Sequence, residues 1–167
     1  QYDKAIELGC GNGVFSELLA RRCQALVSID SNQQAVALAK QRLAKSSHVK
    51  VIQGVIPHTL STLSNVLLDA YPLADDSPTH QSSFNLIVIS EILYYLSPND
   101  IATVIAWTQQ NLAIGGTLLC CHWRYAIDGF AMTGETVHQR LHHAFNFANN
   151  EKHHVAFNHQ SQVIDNE

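Results

Sequence analysis

Three glycines at alternate positions, Gly9, Gly11 and Gly13, constrain this chain more than any other feature. They lie within Lys4 to Arg22, KAIELGCGNGVFSELLARR, between a short apolar run and a helical pattern. The run Ala5-Ile6-Glu7-Leu8 predicts a buried strand carrying one carboxylate. Val14, Phe15, Leu18 and Leu19 predict one face of a helix over Val14 to Arg22. A residue without Cβ takes positive φ, so the chain can reverse off a strand end and a ligand can lie against bare backbone. The N–H groups of such a turn and of the first helical turn favour an anionic group. Strand, glycine turn and helix make the first half of a nucleotide-binding βαβ unit.

Details of the turn discriminate between cofactors. Val14 stands where the dinucleotide fingerprint G-x-G-x-x-G requires its third glycine. Glu7, two positions before the first glycine, would repel a diphosphate but suits a primary ammonium. Both features disfavour a nicotinamide oxidoreductase. The next apolar run, Ala25 to Asp30, ends in an acid about 20 residues past the first glycine, where a ribose-binding carboxylate is expected.

Glu7-Leu8-Gly9-Cys10-Gly11-Asn12-Gly13, followed by Asp30, resembles motif I of the class I S-adenosylmethionine-dependent methyltransferases. The resemblance implies S-adenosylmethionine as cofactor and S-adenosylhomocysteine as product. It implies that Glu7 anchors the methionine ammonium, directly or through water, while Gly9, Cys10, Gly11, Asn12 and Gly13 pack against the cofactor. Asp30 would accept from the ribose hydroxyls, with Ser31 beside it. The family often has an acid after strand three for the adenine amino group. This chain has Gly54-Val55-Ile56, so that contact must come from backbone or from elsewhere.

Composition sets the outer bounds. A chain of 167 residues fits one domain, 1–167, with room for a core. Hydrophobic content of 46% and charged content of 14% suit a soluble globular protein. A net charge of −4 gives no basic face to attract nucleic acid, and no apolar run reaches the length of a membrane span. Cys10, Cys23, Cys120 and Cys121 show no zinc spacing and read as reduced thiols of a cytoplasmic protein. The chain starts at Gln1 just before its first strand and stops without a clear closing strand, so it reads as trimmed at both ends.

Further along, helix (about Gln33 to Ala44, with Val36, Leu38, Ala39 and Leu43 to one side) and strand (His48 to Gln53) alternate, and Ser31 or Asn32 can cap the helix. Thr59 to Ala70 has helical spacing, and Tyr71 to Ser83 is rich in Pro, Asp, Ser and Thr, an exposed loop or a lid. Phe84 to Ser90 is the clearest strand. Ser97-Pro98-Asn99-Asp100 then opens a helix, and Gly115-Gly116 is expected to stop it. Thr117 to Trp123 predicts a fifth strand, Gly134 to Phe147 a helix with Val137, Leu141, Ala144 and Phe145 inward, and His153 to Phe157 or a little beyond a sixth strand. The fold class is α/β, a Rossmann-like, doubly wound, mostly parallel sheet. Ligands in such sheets gather beyond the carboxyl ends of the strands. Glu7–Gly13, Asp30, Gly54–Ile56, Ser90–Tyr95 and His122–Tyr125 all belong to that rim.

The second half narrows the resemblance. Ser90-Glu91-Ile92-Leu93-Tyr94-Tyr95-Leu96 and Gly134-Glu135-Thr136-Val137 are similar to segments of the nodulation protein S family and its bacterial relatives. Those enzymes N-methylate the free amine of a deacetylated chitooligosaccharide, which implies a small-molecule or oligosaccharide acceptor. The family also has an N-terminal segment over the site and a final antiparallel strand that this chain does not display. Methyl transfer from a sulfonium has a neutral leaving group, so positioning and proton removal do most of the work. Glu91, Tyr94 and His122 are the candidates for acceptor chemistry, and Ser90 and Glu91 are also expected at the cofactor. Glu91 either orients an ammonium and accepts its proton, or caps a helix and touches the cofactor. His122 is either a general base or a structural histidine. Trp123 could stack on a sugar, and Arg124 could pair with Glu91. His138, His142 and His143 share a helix but lack a carboxylate or cysteine to complete a metal set. O-methyl transfer to an unrelated metabolite, or cofactor binding without turnover, are the alternatives.

Overall fold

A computed structural model describes residues 1–63, 83–130, 132–147 and 154–160, with backbone alone for 146–147 and 154–160. The described strands are β1 (Tyr2–Leu8), β2 (Cys23–Asp30), β3 (Val49–Gln53), β4 (Phe84–Ser90), β5 (Leu112–Trp123) and β6 (His154–Gln160). The helices are α1 (Val14–Ala20), α2 (Gln33–Arg42), α3 (Pro98–Asn111) and α4 (Gly134–Phe147), with 3-10 turns at His58–Thr62 and Leu93–Tyr95. The strands form one sheet ordered β3-β2-β1-β4-β5-β6, and every neighbouring pair is parallel. Chain order reverses between β1 and β4, which puts the ligand crevice of such a sheet beyond Leu8 and Ser90.

Alternate residues of the central strands face opposite cores. Ile6, Leu8, Ile87, Ile89, Leu118 and Cys120 join one core with Ile101 and Val104 of α3 and Val137, Leu141 and Phe145 of α4. Ala5, Leu26, Leu86 and Val88 join the other with Leu19 and Ala20 of α1 and Val36 and Ala39 of α2. A parallel sheet covered on both faces explains why these strands read as continuous apolar runs. Ser97 caps α3, its hydroxyl accepting from the Asp100 amide at 3.1 Å and donating to the Asp100 carboxylate at 2.7 Å, with Pro98 opening the first turn.

Several expectations change. Val14 and Leu18 are about half exposed, and α1 instead turns Ser16, Leu19 and Ala20 inward. Leu38 of α2 is also exposed, and Asn32 rather than Ser31 is the cap, accepting from Gln34 and Ala35 at 2.9 and 3.0 Å. Gly115-Gly116 does not stop α3: the helix ends at Asn111 and Leu112 is already extended and paired with Phe84. The glycines instead lie in an irregular stretch of β5, where Phe84 and Leu86 face Leu112 and Thr117, and Gly115 takes φ +74°. Of the helix expected over Thr59 to Ala70, the described part is a 3-10 turn, and nearly all of the loop expected at Tyr71 to Ser83 lies outside the described residues. Phe84–Ser90 and Gly134–Phe147 match the sequence reading.

Candidate functional site

The glycine turn wraps the end of β2. The amides of Gly9 and Cys10 both donate to the Ile29 carbonyl, at 2.9 and 3.0 Å, the Gly13 amide donates to Cys10 carbonyl, and the Gly11 amide donates to Asp30 Oδ2 at 2.8 Å. These four N–H groups are therefore occupied, and α1 has only seven residues, so the anion cradle expected from the spacing is not what the turn presents. All three glycines have positive φ, but they meet different surroundings. A Cβ on Gly9 would stand 2.2 Å from the Ser90 carbonyl oxygen and 2.4 Å from Ile92 Cγ2; one on Gly13 would press on Ala39 of α2. A Cβ on Gly11 would meet nothing within 4 Å. Gly9 and Gly13 thus serve packing, whereas the backbone at Gly11 is left uncovered.

Glu7 lies under this turn, fully buried. It faces Ser28 across the β1–β2 register, and Ser28 and Ser16 both donate to its Oε2. Oε1 is buried with no hydrogen-bond partner among the described residues. Burial raises the Glu7 carboxyl above its ordinary value of 4.5; the two serine hydroxyls counter this and the Asp30 charge adds to it. Cys10, in the turn, is pushed up to about 12 by burial and by Glu7 and Asp30, so it is an inert packing thiol.

Asp30 also accepts from the Asn32 amide, at Oδ1 and 2.9 Å. A carboxylate has about four lone-pair sites, so both oxygens retain capacity for ribose hydroxyls. At the end of β3 the Gly54 amide donates to the Asp30 carbonyl at 2.9 Å. Val55 is exposed, Ser31 is exposed beside it, and Ile56 packs partly into the core. Asn12 is exposed at the crest of the turn, and its carbonyl accepts from Arg42 at 3.2 Å.

The residues expected at the acceptor side come together where β4 meets β5. Glu91 follows Ser90 with φ +56°, held by its amide donating to the Cys121 carbonyl at 2.9 Å. Its Oε2 accepts from the Trp123 amide at 3.0 Å and from the Tyr94 hydroxyl, while Oε1 is buried and without a partner among the described residues. Burial, the Glu91 hydrogen bond and charge, and Tyr95 all push the Tyr94 phenol up, so it is a donor to the carboxylate rather than a base. Outside this pair, Tyr95 and Phe130 are exposed and meet edge to face at 4.8 Å, and Trp123 meets Tyr125 at 5.6 Å. Arg124 pairs with Glu135 at 4.0 Å and not with Glu91.

His122 is fully buried. The Leu93 amide donates to its Nε2 at 3.4 Å, and its Nδ1 lies 3.0 Å from Nε2 of buried His138 on α4. Both ring nitrogens are engaged, which leaves none to take a proton from an acceptor. The general-base role does not fit this geometry. The His122–His138 pair was not read from the sequence, although a signal exists: His138 follows Val137 and precedes Leu141 by three on the buried face of a helix. No cluster of three His, Cys, Asp or Glu side chains suited to a metal occurs among the described residues.

A parallel sheet in this order, with a buried acid before the glycine turn and a second acid at the end of β2, defines a class I methyltransferase domain. The family model for the methyltransferase domain matches residues 5–116, and the chain belongs to that family. Within it, nodulation protein S of Sinorhizobium fredii (strain NBRC 101917 / NGR234) is 35% identical over 100 residues, 60% of this chain and 37% of that protein. The crystal structure of N-methyltransferase NodS from Bradyrhizobium japonicum WM9, in complex with S-adenosyl-L-homocysteine, is 30% identical. It covers 70% of this chain and 50% of that one, with a TM-score of 0.53. A crystal structure from Pseudomonas syringae assigned to the methyltransferases is 35% identical, covering 86% and 74%, with a TM-score of 0.62. The chain thus spans little more than a third of the length of the curated relative. No described helix is long and apolar enough to cross a membrane.

S-adenosylmethionine is the cofactor of this family, and the residues fit it. Glu7 supplies an orphaned buried acceptor under the turn, Gly11 an uncovered stretch of backbone, and Asp30 a carboxylate with spare capacity.

Proposed function

We propose that this chain is an S-adenosylmethionine-dependent N-methyltransferase domain, residues 1–167, acting on an amine of a small or sugar-like acceptor in the cytoplasm. One observation carries the reading: Glu91 Oε1 is buried without a partner among the described residues, one residue past the Ser90 carbonyl that packs against Gly9. An unpaired buried carboxylate oxygen is costly unless something fills it. An ammonium does so, and the same oxygen then accepts the proton the amine must lose. The similarity to N-methyltransferase NodS supports an amine, and the resemblance of Ser90–Leu96 and Gly134–Val137 to the nodulation protein S family points, among amines, to a deacetylated chitooligosaccharide.

When bound, S-adenosylmethionine supplies a methyl group on a sulfonium, whose departure leaves a neutral thioether. The chain's own residues then divide the remaining tasks. Glu7, through its unpartnered Oε1, would hold the methionine ammonium, and Asp30 would accept from ribose hydroxyls while holding the turn through Gly11. Glu91 orients the acceptor, with Oε2 fixed by Trp123 and Tyr94 so that Oε1 alone faces the amine.

Calorimetric titration with S-adenosylmethionine and with NADH, followed by mass spectrometry of deacetylated chitooligosaccharides incubated with the chain, tests the reading. Micromolar binding of the first, none of the second, and a methyl group on nitrogen are expected. Methylation on oxygen alone would overturn the amine assignment, and binding of NADH alone would overturn the cofactor.

A further inference from the structure

Between the sheet and α4 lies a buried polar chain. His138 is 5% exposed and His122 fully buried, and their rings meet edge to face with Nδ1 of His122 at 3.0 Å from Nε2 of His138. A backbone amide can only donate, so the Leu93 amide at 3.4 Å requires an unprotonated Nε2 on His122. Neutral His122 then carries its proton on Nδ1 and donates it to His138. His138, as acceptor, and the Leu93 amide, as donor, therefore favour the same tautomer of His122. On the other side, Leu93 opens the 3-10 turn Leu93–Tyr95, and the Tyr94 ring packs edge-on against His122 at 5.6 Å. The Tyr94 hydroxyl in turn donates to Glu91 Oε2.

We propose that His138 is a positioning residue for the Glu91 carboxylate, acting through the tautomer of His122 and the turn that carries Tyr94. The proposal rests on the reading of Glu91 as the group that meets the acceptor. Without an acceptor on α4, the Nδ1 proton of His122 loses the 3.0 Å bond to His138, and the preference for the tautomer that accepts the Leu93 amide weakens. The Leu93 amide loses its partner, the turn loosens, and Tyr94 no longer holds Oε2. Gly134 keeps α4 close enough for this contact: a Cβ there would lie 2.2 Å from the Trp123 carbonyl and 3.1 Å from His122 Cβ. The small residue at the head of the helix and the histidine one turn later thus serve one alignment.

The test replaces His138 by leucine, which fills space without accepting, and by glutamine, whose carbonyl can accept near the position of Nε2. The readout is the carbon-13 resonance of the Tyr94 phenol carbon in tyrosine-labelled protein, identified by its loss in Tyr94→Phe. His138→Leu is expected to move that resonance towards its position in Glu91→Gln, and His138→Gln to leave it near the unsubstituted value. S-adenosylhomocysteine affinity should stay within about twofold in both, which shows that the cofactor half is intact. A resonance that does not move in His138→Leu would overturn the proposal, and so would one that moves equally in His138→Gln. If the leucine variant does not fold, His122→Asn provides the same comparison from the other side of the pair, and an unmoved Tyr94 resonance there also overturns it. An unmoved acceptor KM and kcat in Glu91→Gln, with the resonance behaving as expected in the His138 variants, would instead refute the role given to Glu91.

Discussion

The Gly11 amide donates to Oδ2 of Asp30 at 2.8 Å, so the acid expected at a ribose also ties down the turn that faces the cofactor. Asp30→Ala should therefore act twice. Loss of charge-assisted bonds should weaken S-adenosylmethionine binding more than tenfold, about 1.4 kcal/mol or more, and the freed turn should lower the melting temperature. Calorimetry and a thermal melt check the two effects. Asp30→Asn, which still accepts from Gly11, should restore most of the melting temperature but not the affinity.

The glycines of the turn should separate folding from binding. Gly9→Ala forces a Cβ into the Ser90 carbonyl at φ +88°, and severe loss of folded protein is expected. Gly11→Ala has open space around its Cβ and bears only the cost of positive φ, roughly 1–2 kcal/mol. It should fold and bind S-adenosylmethionine poorly, because the methyl lies where bare backbone faces the ligand. Circular dichroism and calorimetry distinguish the two, and a Gly11→Ala variant with unchanged affinity would move the cofactor elsewhere.

Glu7 predicts a pH dependence of definite sign. Its carboxyl is raised from 4.5, chiefly by burial, so the folded state binds a proton that the unfolded state releases. The resulting stability is fully present below about pH 4.5 and declines as pH rises through the raised value. Glu7→Gln, which needs no ionisation, should flatten that decline. In urea unfolding at pH 5 and pH 8, the substituted chain should gain on the native one at the higher pH. It should also bind S-adenosylmethionine more weakly.

Glu91→Gln keeps the shape of the strand end but removes the carboxylate proposed to accept the proton. Catalytic turnover should fall by about a hundredfold or more, in line with the loss of a positioned acid–base group. Cofactor affinity should change by less than tenfold. Steady-state kinetics with the best acceptor, alongside calorimetry, measures both.

Much of this arrangement was legible because apolar runs and turn residues are local signals. Phe84–Ser90 is seven residues without a break in its pattern, and Gly134–Phe147 repeats its apolar side chains at helical intervals. The inward face of α1 was misread because it buries a serine for Glu7, and hydrophobicity alone cannot mark a polar residue as interior. Gly115 looked like a helix stop because the same φ that ends a helix also permits an irregular strand. Glu7, Asp30 and Glu91 were visible by their spacing from strand ends. The partnerships that define them were not: Gly11 with Asp30, Trp123 with Glu91, and His122 with His138 join residues 19, 32 and 16 positions apart. Only the sheet order brings such pairs together.

Glu91 has one more consequence, for anyone who breeds this chain for heat resistance. At φ +56° glycine is at ease and asparagine is tolerated, whereas a glutamate sits about 1–2 kcal/mol uphill. A selection scored on survival alone would therefore drift towards replacing it, and the hardiest descendants would be the ones that had shed the carboxylate proposed to meet the acceptor.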